Sequence, residues 1–458
     1  MFLLLATLML AAPASPADKV YADMAVELLQ RYLRVDTTNP PGNELKAALF
    51  YKEILEKEGI PVQIDEFAPG RANLLATLAG SGAKRPLVLA NHMDVVPAEP
   101  ARWSVSPFAG VVKEGAIYGR GAVDMKSEGI LHLVALIRLK REKPPLDRDV
   151  IFLGTADEEV NFQGALRALA PEGFREQLQK AEYLITEGGE NRVDADGRPL
   201  YFGLQAAQKG AYWLTLKASG RTGHGSRPIA ESALNRLIRA LERIRLWHTE
   251  MRVLPSVARF CRDQVEHLTP PQSEWYKDIA EAIQDPAVAR TVYDDESVSA
   301  LLRNTVSITV ARAGTATNVI PGRAEAELDV RLLPGQDPAA FLAEITKIID
   351  DPSVEVVPPS HFYQASESAI DTELFHSIER VVAKHYPGVP VTTKMSTGAT
   401  ESALYRPVGI IAYGFTPLLM TQEEDASQHS DDERVRESSV RDSAAIFYEV
   451  VAETVRKK

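Results

Sequence analysis

Cysteine is nearly absent from this chain. Cys261 is the only one in 458 residues, so no internal disulfide can form, and no cysteine follows the N-terminal apolar run to carry a lipid. No Lys/Arg block interrupts the formal net charge of −12, which argues against a nucleic-acid surface. A long membrane-spanning run is missing as well: the apolar stretch at residues 2–12 is too short to cross a bilayer. Internal repeats and low-complexity tracts are not found. What is present is ordinary: 45% hydrophobic and 25% charged residues describe a globular protein, and 458 residues exceed one core and imply two or three domains.

Small residues follow the apolar run, and Ala12-Pro13-Ala14 or Ser15-Pro16-Ala17 fits a cleavage site. Residues 1–17 therefore read as a secretory signal peptide. The mature chain is expected to be soluble in the periplasm or outside the cell, with no membrane attachment after cleavage.

The stretch LVLANHMDVVP at residues 87–97 organises the rest. A continuous apolar run argues a buried strand, and it breaks into Asn91, His92 and Asp94 where a turn begins. Polar groups at such an end are where open α/β sheets place their chemistry. On an extended chain His92 and Asp94 leave on one face, so the carboxylate could orient the imidazole. Alone, the pair reads equally well as a capped strand end. Downstream come Asp124 in GRGAVDMKSEG, Glu158 and Glu159 in VIFLGTADEE, Glu187 in YLITEGGE and His429 in EDASQHSDDE. Two histidines and several carboxylates make a nitrogen/oxygen ligand set suited to zinc or a similar divalent ion.

Taken in order, Ala25, Leu28, Leu29, Tyr32 and Leu33 follow the helical period, as do Ala47, Tyr51, Ile54 and Leu55, which stop at Gly59. Strand, acidic end and helix then repeat: the Asp124 turn precedes a helix with Leu133, Leu136 and Ile137 inward, the apolar run at 150–153 ends at Asp157, Glu158 and Glu159, and 183–187 ends at Glu187. This is a doubly wound α/β pattern with its functional loops on one edge. Near Gln208 the pattern changes to alternation, at Leu214, Leu216 and Ala218, at Val306, Ile308 and Val310, and at Ala324, Ala326, Leu328 and Val330. Alternation means half-buried antiparallel strands, here beside an amphipathic helix with Ala233, Leu237, Ala240, Leu241 and Ile244. The expected layout is a catalytic α/β domain at 18–208 and 359–458, interrupted by an α+β domain at 209–358. That smaller domain carries a helical insertion at about 247–303. In the last part a strand is expected at 408–413 and a helix bearing Val440, Ala444, Phe447 and Val451.

The motifs HMDVVP, GRGAVDMKS, GTADEE, the Glu187 turn, GHGSRP, TNVIPG, DVRLLPG and the late His429 together resemble the M20 metallopeptidases, over nearly the whole mature chain. The resemblance implies a mixed-sheet zinc-exopeptidase-like catalytic domain with an inserted lid or dimerisation domain. It implies two Zn2+, with Co2+ or Mn2+ as substitutes. Asp124 matches the bridging carboxylate, His92 and Glu187 the ligands of one metal, and Glu159 and His429 those of the other. Glu158 matches the general base and Asp94 the carboxylate behind His92; the bond after Asp124 is expected to be cis. His224 looks like the histidine that in family dimers reaches the partner's active site and polarises the scissile carbonyl. Asn318, Arg331 and the backbone of Gly398 match positions that hold the substrate's oxyanion and terminal carboxylate. For Arg331 an exposed strand arginine is an equal alternative. The insertion at 247–303 is similar to the carboxypeptidase S-like branch and emerges beside the helix that relatives use for pairing, so a homodimer through the lid domain is left open.

The implied activity is metal-dependent hydrolysis of an amide or peptide bond in a small peptide or N-acyl amino acid with a free terminal carboxylate. The alternatives are an aminopeptidase or dipeptidase of the same family and, from another class, a non-catalytic peptide-binding protein on this fold. The presence of all five ligand candidates and Glu158 separates the enzyme from the binder. GRGAVD lacks the third glycine of a dinucleotide fingerprint, and GHGSRP is not G-x-S-x-G, which disfavours a dehydrogenase and a serine hydrolase.

Overall fold

The computed structural model describes residues 16–194 and 197–457. The apolar run at 2–12 and the Ala12-Pro13-Ala14 cleavage candidate lie outside the described residues. Among the described residues, no helix is long and apolar enough to cross a membrane. The chain divides into two compact units, one taking residues up to Leu204, Ile370–Val391 and Gly409 onward, the other Gln205–Ala369 and Thr392–Val408.

In the first unit the strands Leu87–His92, Val150–Thr155 and Tyr183–Thr186 are buried along their whole lengths. They pair in parallel, Leu87 with Val150 through His92 with Thr155, and Leu87 with Tyr183 through Leu89 with Ile185. Burial on both faces calls for unbroken apolar runs rather than alternation, and these strands have them up to their polar ends. Ile411–Gly414 extends the parallel set beside Tyr183–Thr186, while Val62–Ala68 and Arg71–Leu78 add antiparallel strands on the other side, giving a mixed sheet. The helix Lys126–Glu142 is buried from Lys126 to Leu139, because it packs on the sheet and also against the helices Pro16–Leu33 and Glu437–Val455. The helix Glu44–Lys57 stops as expected at Gly59, whose φ of 68° lets Ile60 N–H reach back to the Leu55 carbonyl at 2.9 Å.

The strand expected at 408–413 begins only at Ile411. Residues 406–408 form a 3-10 turn and Gly409 turns the chain at φ 90°, which leaves Val408 exposed.

The second unit carries an antiparallel sheet in which Leu214–Ser219 lies between Arg323–Leu332 and Val354–Val357. Leu214, Leu216, Ala218, Ala324, Ala326, Leu328 and Val330 point inward and meet Leu237, Ala240 and Ile244 of the helix Ala233–Leu246 and Phe341 and Ile345 of Pro338–Ile349. Thr305–Ala313 departs from the expected alternation. Among the described residues it pairs with Arg323–Leu332 alone, at the sheet edge; a bulge between Ile308 and Val310 sets Val310 opposite Glu327, off the inward face, and Ile308, still opposite Leu328, is 40% exposed on this edge strand. The segment 247–303 is helical. Proline opens Pro255–Gln264 and Pro286–Asp294, Asp295 caps Glu296–Leu302, and Leu254, Val257, Cys261, Tyr276, Ile279, Val292 and Leu302 gather into a second core with Ala207, Leu333 and Met395.

Candidate metal centre

Parallel strands deliver their polar ends to one edge of a sheet, and the first unit uses that edge. His92 is the last residue of its strand, Glu158 and Glu159 follow Thr155 closely, and Glu187 follows Thr186. Asp124 stands just before the helix Lys126–Glu142, after a peptide bond pattern that includes a cis link from Asp124 to Met125, as the resemblance implies. His429 arrives on a loop ahead of the strand Arg434–Arg436, at φ 60°.

These side chains meet. His92 Nε2 lies 2.8 Å from Asp124 Oδ1 and 3.4 Å from Glu187 Oε2. His429 Nε2 lies 3.2 Å from Asp124 Oδ2 and 3.2 Å from Glu159 Oε2. The Asp124 carboxylate thus stands between two imidazoles, one oxygen toward each, and each imidazole has a second carboxylate beside it. His92, Asp124 and Glu159 present ligand atoms within 4.8 Å of one another, and so do His92, Glu158 and Glu187. Glu158, expected only as a base, therefore also faces the space between His92 and Glu187.

Asp94 stands behind His92, and its backbone as well as its carboxylate faces the ring. Its Oδ1 is 3.6 Å from His92 Nδ1, while its backbone carbonyl is the nearer partner of that nitrogen at 3.1 Å. The carboxylate also accepts the backbone N–H of Glu158 (3.1 Å) and of Glu159 (3.2 Å), and the Asn39 amide at 2.9 Å. It shapes the Glu158–Glu159 turn, where Asp157 adopts φ 67°. Asn39 and Gln428, whose Nε2 donates to Asp124 Oδ2 at 2.6 Å, were not legible in the sequence. Gln428's place beside His429 was the one available signal.

The electrostatics follow from crowding carboxylates against two bases. Burial opposes charge on His92, yet Asp124, Asp94 and Glu187 outweigh it and hold its pKa well above 6.5. Asp124 and Glu159 push His429 up to about 10. Asp124 is buried, but His429 and His92 keep it below the usual carboxylate range. Burial, and then the neighbouring Glu187, raises Glu158 well above 4.5; burial raises Glu159 too. Glu159 Oε1 is buried without a hydrogen-bond partner. An orphaned buried oxygen, an excess of negative charge and a nitrogen/oxygen donor set are all met by divalent cations, so the residues fit a metal pair.

The remaining candidates lie in the second unit. The short strand Gly223–His224 pairs with Val319–Ile320, which sets Gly225 N–H on the Asn318 carbonyl at 2.7 Å. His224 is exposed, and its Nδ1 accepts the Ser226 backbone N–H at 3.1 Å, so the neutral ring carries its proton on Nε2, free to donate. Arg331 is engaged: Nε and Nη2 hold the Asp329 carboxylate at 2.6 and 3.1 Å, and its guanidinium sits 5.9 Å from the Trp213 ring centroid. Gly398 N–H donates to Ser396 Oγ at 3.0 Å. Histidines outside the motifs have packing or surface roles, as with His132 stacked on Phe447 and His248 stacked on Tyr293.

Known proteins share this chain's family and fold. The model of peptidase family M20/M25/M40 matches residues 88–453. The N-fatty-acyl-amino acid synthase/hydrolase PM20D1 of Xenopus tropicalis is 28% identical over 78% of this chain and 70% of its own. Aminoacylase-1 of Homo sapiens is 26% identical over 90% of this chain and 91% of its own. Among solved structures, the M20 family metallo-carboxypeptidase Sso-CP2 of Sulfolobus solfataricus superposes with a TM-score of 0.67 at 21% identity, covering 94% of this chain and 99% of its own.

Proposed function

The chain belongs to peptidase family M20/M25/M40, metal-dependent hydrolases of amide and peptide bonds, and from that premise we propose that it releases a C-terminal amino acid from dipeptides, short peptides or N-acyl amino acids, using two zinc ions. The observation that carries the reading is the Asp124 carboxylate held between His92 and His429, with Glu187 and Glu159 completing the two sides. Bound there, a metal pair would acidify a water molecule and polarise the scissile carbonyl. The protein's own residues do the rest. Glu158, whose burial raises its proton affinity, takes the water's proton and hands it to the leaving amine. Asp94 fixes the turn that aims Glu158 and Glu159 to their separate tasks. His224 donates from Nε2 to a developing oxyanion, and Asn318, Arg331 and the Gly398 backbone recognise the substrate's polar groups. We also assign the chain to export, on the apolar run at 2–12 and the small residues after it. A homodimer through the second unit is supported by the exposed Ile238 and Leu246 on the helix Ala233–Leu246 and by the edge strand Thr305–Ala313.

A second reading, an aminopeptidase or dipeptidase that ignores the terminal carboxylate, is favoured by one observation: Asp329 already fills the Arg331 fork. The test compares an N-acyl amino acid and a dipeptide with their C-terminal amides. A strong preference for the free acids, lost in Arg331→Ala, supports carboxylate recognition. Equal rates on acid and amide move the assignment to the second reading.

A further inference from the structure

Two of the groups at the metal centre, Asp124 and His429, are some three hundred residues apart in sequence, and neither sits within a strand of the parallel sheet. Something else must fix their spacing. The strand Ala116–Tyr118 pairs with Arg434–Arg436, Tyr118 opposite Arg434, so the chain leading to Asp124 runs beside the chain leaving His429. Beyond that pairing the segment 119–124 has no ladder of its own, and its backbone N–H groups need partners.

Arg120 N–H goes to the Pro107 carbonyl and Ala122 N–H to that of Gly119, and Glu433 supplies partners for the other four. Its side chain is fully buried. Oε1 accepts the N–H of Val123 at 2.8 Å and of Asp124 at 3.1 Å; Oε2 accepts the N–H of Gly121 at 3.1 Å and Arg120 Nη1 at 2.6 Å. The Glu433 backbone carbonyl takes the Gly119 N–H at 3.0 Å. Arg120, also buried, spans to the other loop: Nη2 donates to the backbone carbonyls of His429 (3.4 Å) and Pro97 (3.3 Å), and the guanidinium lies 5.2 Å from the Trp103 ring centroid. The loop is built to close on this pair. Gly121 has φ 92°, and a Cβ there would meet Val95 Cγ1 at 2.9 Å.

We infer that Arg120 and Glu433 are positioning residues for the metal pair, a buried clamp that sets Asp124 and His429 at the separation two metals require. The inference rests on the proposed dimetal function. A carboxylate that holds the Asp124 amide fixes the backbone from which the bridging side chain projects, and a guanidinium that holds the His429 carbonyl ties the second ligand to the same point. Outer partners of this kind tune metal affinity by about 10- to 100-fold. Neither residue touches substrate or the reacting atoms.

The test uses the full chain as wild type, Glu433→Gln and Arg120→Lys. Each is stripped by chelation, examined by amide exchange over residues 119–126, then titrated with zinc. Glu433→Gln keeps the size but puts an NH2 where an acceptor stood. It is expected to speed exchange at Gly121, Val123 and Asp124 by about tenfold or more and to weaken the weaker zinc site by about 10- to 100-fold. kcat should fall at limiting zinc and recover with excess zinc, while KM stays nearly constant. Arg120→Lys keeps the cation without the fork, remains a measurable variant if Glu433→Gln fails to fold, and should weaken zinc in the same direction by a smaller factor. Folded variants with wild-type exchange and wild-type zinc affinity, whatever their melting temperature, overturn the inference alone. A wild type that binds no zinc overturns the proposed function and the clamp with it.

Discussion

Asn39 Nδ2 donates to Asp94 Oδ2 at 2.9 Å, and the carboxylate that receives it also holds the backbone N–H groups of Glu158 and Glu159. Three donors from two distant segments converge on one buried acid. Asp94→Ala strands the part-buried N–H groups of Glu158 and Glu159, at about 1–3 kcal/mol for each, while Asn39 Nδ2 keeps its second acceptor, Asp157 Oδ1, at 2.9 Å. The expected outcome is a lower melting temperature together with at least a tenfold loss of kcat, because the turn that carries Glu158 loses its anchor. Thermal unfolding and steady-state kinetics on one preparation check it. Full activity in a destabilised variant would reduce Asp94 to a structural residue.

Glu158→Gln separates proton transfer from metal binding. The isosteric amide leaves His92, Asp124, Glu159, Glu187 and His429 in place, so metal content should stay near wild type while kcat falls by about 10²- to 10⁴-fold. Glu158 also lies with His92 and Glu187 in a ligand-forming group. Loss of one metal from the variant would show that it is a ligand and move the base elsewhere.

How far the sequence alone reaches can be judged from these residues. The parallel strands were legible because burial on both faces leaves an unbroken apolar run, and the site residues because each follows such a run in a fixed order of motifs. Thr305–Ala313 misled because a bulge has no signature in a hydrophobic pattern. Asp94 is legible as the carboxylate behind His92, 3.6 Å from Nδ1, but its hold on the Glu158 and Glu159 N–H groups is not, because the turn that brings them there follows a different strand. Glu433 was invisible for another reason: in the run Asp431, Asp432, Glu433 it looks like a solvated loop acid, and only the fold turns it inward onto four donors.

His132 gives a pH prediction away from the metal ligands. It is buried against Phe447, with Glu128 Oε1 3.7 Å from Nε2, and burial pushes its pKa down to about 3. Glu128 is itself raised by burial and offers little negative charge to hold a proton there. The folded chain therefore excludes a proton that the unfolded chain binds below about pH 6.5. Since the folded pKa is the lower one, this stability is present above pH 6.5 and lost as pH falls toward 3. Between pH 6.5 and 4 the wild type should lose on the order of 3 kcal/mol that His132→Leu keeps. Denaturant unfolding of both proteins across that range measures the difference; parallel curves would mean that the proton is accommodated.

Arg331 and Asp329 form a bidentate pair on one strand face. If Arg331 reads a substrate carboxylate, Asp329 competes with it. Asp329→Asn should then lower KM for free-acid substrates several-fold and leave amides unaffected, whereas Arg331→Ala should raise KM for the acids. Unchanged KM in both variants would assign the pair to holding the strand.

The central claim is a pair of metals across Asp124, and the most direct measurement is the number of divalent ions bound per chain, by native mass spectrometry with elemental analysis. The wild type is expected to carry two, chelation to remove both together with activity, and Asp124→Ala to bind fewer than two at saturating zinc. A fully active wild type holding one ion or none, or an Asp124→Ala protein that still binds two with undiminished affinity, would contradict the account.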